Sequence, residues 1–347
     1  MNRRWISAGV GGLAFGAAAL WFAGNAWVYR RLDPAPLPAM SPALGTTLSA
    51  GSCKPCHQET YEEWAGSKMG QAMTDPVFLA DFALQGEPFI CLRCHAPLIE
   101  QQERTEWGLL SVSPLIPLTN ANPTFDLELQ SEGVTCVVCH LKDEAMMGSL
   151  YDVGAPHKTH TADVSATCAR CHQLEITPLS NLVRPITDTV REWERWKQTT
   201  GRGETCVDCH MPAVTRVVGI GGPPRTGHRH TWHGAWNDEM VRSGLRVEAR
   251  RDGADAVVTL TNLAGHNLPS GDPARALVVR SGGYEAVLAR RVPLPRLIDQ
   301  WDTSLLPGET REIRLKLEGP VQVAFQRLRF LEVGVPDTEL VLFDETL

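Results

Sequence analysis

Cys53-Lys54-Pro55-Cys56-His57 is the stretch on which the reading of this chain turns, and its pattern recurs four times. The further copies are Cys91-Leu92-Arg93-Cys94-His95, Cys136-Val137-Val138-Cys139-His140, Cys168-Ala169-Arg170-Cys171-His172 and Cys206-Val207-Asp208-Cys209-His210. All ten cysteines of the 347 residues fall in these five strings. With ten cysteines and eleven histidines, chance would supply about 0.009 such strings. Ten cysteines alone could mean five disulfides, metal-thiolate sites or covalent cofactor attachment. Redox pairs of the Cys-x-x-Cys kind need no following histidine, and zinc sites use their pairs in twos, which five copies do not satisfy. Two thiols on one helical turn can add to the two vinyl groups of a haem, and the next histidine then reaches the iron. The strings therefore predict five covalently bound c-type haems, with His57, His95, His140, His172 and His210 as proximal ligands.

Such attachment takes place on the exported side of a bacterial-type membrane, and the N-terminus provides for export. Asn2-Arg3-Arg4 precedes an apolar run from Trp5 to Val28, followed by Tyr29-Arg30-Arg31. The run over 5–28 would reach about 36 Å as a helix, enough for a hydrocarbon core of about 30 Å. Its length and flanking arginines favour a single N-terminal transmembrane helix, although Gly24-Asn25-Ala26 weakly matches a signal-peptide cleavage site. The expected location is the inner membrane, with the haem domain on the periplasmic side.

Prolines at 34, 36, 38 and 42 mark 32–49 as an extended tether. The haem domain is expected over 50–240, mainly α-helical and packed around its cofactors, because one string every 32 residues or so leaves little room for an apolar core. His57, Tyr61, Trp64 and Lys68 form a helical stripe, and a second helix is expected from Thr187-Asp188 with Val190, Trp193 and Trp196 on one face. The segment from Pro114 to Ser131 reads as a long loop ordered by haem contact. From Gly244 the pattern becomes short β-rich runs, at 256–260, 276–279, 285–288, 312–317 and 339–343. Turns separate them, which predicts a C-terminal antiparallel β-sandwich domain over 244–347.

A haem iron serving purely as an electron carrier needs a second axial ligand. Six histidines lie outside the strings: His157, His160, His228, His230, His233 and His266. His157 and His160 would stand one turn apart if their segment is helical, and His228, His230 and His233 offer three candidates for one or two irons. His266 sits in a turn-rich loop, Gly265-His266-Asn267-Leu268-Pro269-Ser270-Gly271-Asp272-Pro273, which could carry it from the sandwich back into the haem domain. Met69 is a softer candidate, and so is Met73; an unbroken helix would hold Met69 about 18 Å from His57, so it would serve a neighbouring iron unless Gly66 breaks the helix.

The run Cys56-His57-x-x-x-Tyr61-x-x-Trp64-x-x-Ser67-x-Met69 resembles the opening of the cytochrome c-554-like multihaem family. Gly133-Val134-Thr135-Cys136, Cys209-His210-Met211-Pro212 and His230-Thr231-Trp232-x-Gly234 look like its later landmarks, and the loop from Gly265 to Pro273 resembles that of members with a C-terminal β domain. The resemblance implies stacked haems conducting electrons, with Met69, His230 and His266 as distal ligands. Two features depart from it: the name-giving members carry four haems, and this chain has the N-terminal anchor.

The expected function is a membrane-tethered electron carrier between a quinol-linked donor and a periplasmic or extracellular redox partner. A reductase of nitrite, hydroxylamine or a sulfur oxyanion would need one open iron, and the Cys-x-x-Cys-Lys string of lysine-ligated nitrite reductases is absent from the sequence. A subunit of a haem filament is the third class, and an uncleaved anchor opposes it. The net charge of −7 gives no support for a nucleic-acid partner.

Overall fold

The computed structural model describes residue 20 and residues 48–109, 117–142, 145–148, 159–161, 164–174, 185–292, 301–331 and 338–347. All of the expected membrane span except Leu20, and nearly all of the tether, lie outside these residues. No helix of the described residues is long and apolar enough to cross a membrane.

The string region is a mixture of short helices and small sheets, where the sequence had suggested a mainly helical domain. Its helices are α1 (Gln58–Ala65), α2 (Pro76–Leu84), α3 (Phe89–His95), α4 (Leu127–Ser131), α5 (Cys136–His140), α6 (Ala169–His172), α7 (Thr189–Thr200) and α8 (Cys206–His210). Strings two to five thus lie on α3, α5, α6 and α8, while string one forms a turn closed by His57 N–H to Cys53 O at 2.9 Å. Between them run β1 (Arg104–Leu109) with β2 (Pro117–Ala121), β3 (Leu141–Lys142) with β4 (Ala145–Gly148) and β5 (Thr159–Thr161), β6 (Gln173–Leu174) with β7 (Thr187–Asp188), and β8 (Ala213–Val217) with β9 (Pro224–His228). The physical reason is economy of apolar surface. A helix needs an apolar stripe to bury, whereas a hairpin satisfies its backbone groups by pairing alone. The described part of the expected loop from Pro114 to Ser131 is likewise β2 and α4, the latter capped by Asp126 Oδ1 on Leu129 N–H at 3.0 Å.

The two helices read from the sequence are present, with edges set by local chemistry. α1 stops at Ala65, with Gly66 as its C-cap. α7 starts at Thr189 after Asp188, whose carboxylate accepts from Gln173 Nε2 at 2.8 Å and does not cap the helix, and it ends on Gly201 in the left-handed region at φ 68°.

After α9 (Asp238–Ser243) the chain forms β10 (Leu245–Asp252), β11 (Asp255–Asn262), β12 (Ala276–Ser281), β13 (Tyr284–Arg291), β14 (Trp301–Asp302), β15 (Thr310–Lys316), β16 (Val321–Gln326) and β17 (Glu339–Glu345). They build one antiparallel sheet in the order β10-β11-β15 and another in the order β14-β13-β12-β16-β17. Alternate residues of facing strands, among them Val258, Leu260, Leu277, Val279 and Val323, form a core of wholly buried side chains between the sheets. Apolar clusters in the string region are smaller; one holds Leu98, Leu129, Val137, Val138 and Leu141.

Candidate cofactor site

None of the ten cysteines is in a disulfide, and all ten line one continuous cavity of about 3130 Å³ together with the five string histidines. Divided among five strings this is about 630 Å³ each, inside the range of about 300–1,000 Å³ common for cofactor pockets. Among the described residues no three His, Cys, Asp or Glu side chains gather to hold a bare metal ion. Five pairs of cysteines, each followed by a histidine and all lining one cavity of this size, are the donor set that covalently attached haems would use.

Sulfur contacts show which strings are neighbours. Cys53 hydrogen-bonds Cys136, Cys94 hydrogen-bonds Cys171, and Cys168 hydrogen-bonds Cys206. Cys139 lies close enough to Cys168 and Cys171 to feel their charge. The spatial order is one, three, four, with strings two and five both beside four. Within the first contact the bond from Cys136 holds the Cys53 thiol down at about 6, against burial, while burial, with the charge of Asp81, pushes Cys91 up to about 12. Strings one and three are also clipped by protein. Glu132, just before string three, accepts from Ser49 Oγ at 2.5 Å and Ala50 N–H at 2.7 Å, and Trp64 Nε1 donates to Val134 O at 2.7 Å. Gly133 has φ 64°, and a Cβ there would stand 2.9 Å from Met69 O, so only glycine fits the crossing.

Four of the five string histidines share one device. Nδ1 of His57 donates to Val218 O (2.8 Å), that of His95 to Ala72 O (2.8 Å), that of His140 to Met147 O (2.7 Å) and that of His210 to His233 O (2.5 Å). Outside the strings, Nδ1 of His228 donates to Met211 O (2.7 Å), that of His230 to His228 O (3.2 Å) and that of His266 to Asn267 O (2.8 Å). A carbonyl can only accept, so each ring carries its proton on Nδ1 and keeps the Nε2 lone pair for a metal. Burial pushes His230 down to about 4, assisted by neighbouring His140. Burial also takes His266 to about 4, against its bond to Asn267 and with help from His210. Both rings are neutral at pH 7 and competent as ligands.

Two of these rings face string histidines. The centroids of His140 and His230 are 6.0 Å apart with planes at 31°, and those of His210 and His266 are 6.1 Å apart with planes at 11°. A metal–nitrogen bond of about 2.0 Å on each side, plus about 1.1 Å from Nε2 to each ring centre, spans about 6 Å. Each pair is spaced so that one metal ion could be held between its two imidazoles. His230 is held by α1: Glu63 Oε2 accepts its backbone N–H at 2.9 Å, while Arg216 binds both Glu63 oxygens at 2.7 and 2.8 Å. Burial pushes the Glu63 pKa up, but Arg216, the His230 N–H and Arg229 outweigh it and hold it below the ordinary range.

The remaining candidates separate. Met69 lines the cavity, and since α1 ends at Ala65 the 18 Å helical span between it and His57 does not exist; its carbonyl instead accepts from Val134 N–H at 3.1 Å, beside string three. His233 lines the cavity too, but its backbone exchanges two bonds with His210, accepting from Nδ1 and donating N–H to His210 O at 2.9 Å. His157 lies outside the described residues, and the backbone of His160 is on a strand, β5, paired with Met147, where the sequence allowed a helical turn. His228, one of three neighbouring candidates in the sequence, lines the cavity with its tautomer fixed; a Gly-His-Arg-His segment leaving a hairpin was the signal for it.

No family model and no curated protein matches the sequence. Among solved structures, the fold is similar to that of a penta-heme cytochrome c552 from Thermochromatium tepidum, with a TM-score of 0.61 over 85% of this chain and 97% of that one, at 18% identity. The chain has a multihaem c-type cytochrome fold, which bears out the expected resemblance at the level of the fold.

Proposed function

We propose that this chain is a pentahaem c-type cytochrome that carries electrons from a membrane-linked, quinol-dependent donor to a redox partner in the periplasm or beyond. The observation that carries this reading is the pair of imidazole couples, His140 with His230 and His210 with His266, each at axial-ligand spacing in the cavity that the five strings line. The ten string cysteines would hold the haems, the five string histidines would be the proximal ligands, and His230 and His266 would be distal ligands at strings three and five. Met69, His228 and His233 are the further candidates that line the cavity. Haem supplies one-electron chemistry when bound. The protein's part is to fix the imidazoles through their Nδ1 bonds, to exclude water, and to keep neighbouring strings in contact.

An iron with two imidazoles has no place for substrate, which favours a carrier over a reductase at strings three and five. Cys56 and Cys209 are the exposed string cysteines, and of their two strings it is string one that follows the apolar N-terminal segment, which favours it for the entry of electrons from the membrane side. Intact-mass measurement of the holoprotein should give five haem additions. Electron paramagnetic resonance of the ferric protein should show low-spin signals for at least the two bis-histidine irons. Fewer than five additions, or loss of all low-spin signal, would refute the proposal.

A further inference from the structure

The reading of His266 as a ligand at string five requires a loop of the C-terminal sheets to stay seated on a helix of the string region, and the present inference rests on that reading. Glu192 lies in the first turn of α7 and is 1% exposed. A charge-sized group in such a place costs several kcal/mol unless donors meet it. They come from the loop: Glu192 Oε2 accepts from Asn267 N–H at 3.1 Å and from Ser270 Oγ at 2.6 Å. Ser270 Oγ also bonds Thr189 Oγ1 at 2.9 Å, one turn earlier on the same helix. One turn later, a Cβ on Gly265 would stand 3.3 Å from the Trp196 indole, so the loop lies against that ring. Thr189, Glu192 and Trp196 occupy one face of α7, at helical spacing of three and four.

The bond at Asn267 is the informative one. Asn267 follows His266, and its carbonyl accepts the His266 Nδ1 proton at 2.8 Å. The residue that Glu192 grips by its N–H is therefore the residue that fixes the His266 tautomer by its C=O. We infer that Glu192 is a positioning residue for His266: from α7 it holds Asn267, and so keeps the imidazole opposite His210. Packing alone would be served as well by leucine, whereas acceptance of two hydrogen bonds needs a carboxylate or an amide oxygen.

Full-length holoprotein carrying Glu192→Leu, Glu192→Gln or His266→Ala tests this, read by ferric electron paramagnetic resonance before and after added imidazole. Glu192→Leu should gain a high-spin signal from one haem per chain, and imidazole should return it to low spin. Glu192→Gln should remain as the parent, because its amide oxygen accepts from the same donors. His266→Ala should give the high-spin signal without reference to the latch. If His266→Ala stays low-spin, the ligand reading fails and this inference falls with it. If His266→Ala turns high-spin and Glu192→Leu does not, or if Glu192→Gln behaves as Glu192→Leu, the positioning role is overturned while the ligand reading stands. Should Glu192→Leu fail to accumulate, Gly265→Val, which pushes the loop off Trp196, decides in its place: a high-spin haem supports the latch and a low-spin one removes it.

Discussion

A histidine becomes a metal ligand only when its other nitrogen is committed elsewhere, and here that commitment is made by backbone carbonyls. His140 and His230 illustrate how much of this the sequence could carry. The proximal role of His140 follows from its string, because five repeats of one spacing leave few other chemistries. The pairing with His230 does not follow, since ninety residues separate them and three histidines cluster within 228–233. What singles out His230 is three-dimensional: a ring at 6.0 Å from His140, and an N–H held by Glu63 from the helix after string one. Replacing His230 by alanine should convert one iron per chain to high spin and raise its potential, because a donor ligand is lost from ferric iron. Magnetic resonance with a spectroelectrochemical titration checks this. Glu63→Ala should give a weaker version of the same change, since it frees the arm without deleting the ring.

At the scale of elements, the sequence was most informative where one face is buried and least where charge interrupts the pattern. Strands β11, β12, β13, β15 and β17 were readable because they carry β-rich apolar runs. Strand β10, Leu-Arg-Val-Glu-Ala-Arg-Arg-Asp, was not, because its inward Leu245 and Val247 alternate with charges on an edge strand. Helix α2 shows the opposite case, a start written plainly in local chemistry. Asp75 Oδ1 accepts from Val77 N–H at 2.9 Å and Phe78 N–H at 3.3 Å, Pro76 follows it, and Lys68 pairs with its other oxygen. Asp75→Ala should cost about 1 kcal/mol of stability, and Asp75→Asn less, since asparagine still caps. Burial pushes the Asp75 pKa up, but Lys68 and the two helix N–H groups outweigh it and leave it depressed. A depressed carboxylate pKa gives stability that is present above the unfolded value, about 3.9, and lost as pH falls through the lower folded value. Hydrogen exchange at Val77 and Phe78 should therefore stay slow down to about pH 4 and accelerate only below it. In Asp75→Asn that acid step should vanish.

For the whole molecule, the order of strings along the chain is not their order in space. Neighbouring strings in sequence lie 32 to 45 residues apart from first cysteine to first cysteine, so nothing in the spacing tells whether string two sits beside one, three or four. The fold resolves it: string one touches three, and string four lies beside two, three and five. String four then adjoins more strings than any other in these contacts, and charge that entered at string one would have a short path through it to two and to five. Its own cysteines, Cys168 and Cys171, bond cysteines of strings five and two. Replacing both by alanine should leave a holoprotein with four haems divided into an island of one and three and the separated haems of two and five. After rapid photoreduction at one end, electrons should equilibrate within the first island at the parental rate but reach strings two and five far more slowly. Deleting the cysteines of string two instead should leave the route from one to five intact. Intact mass establishes the haem count in each variant, and transient absorption reads the rates. Parental equilibration across the molecule without string four would show that the conducting order follows some other contact.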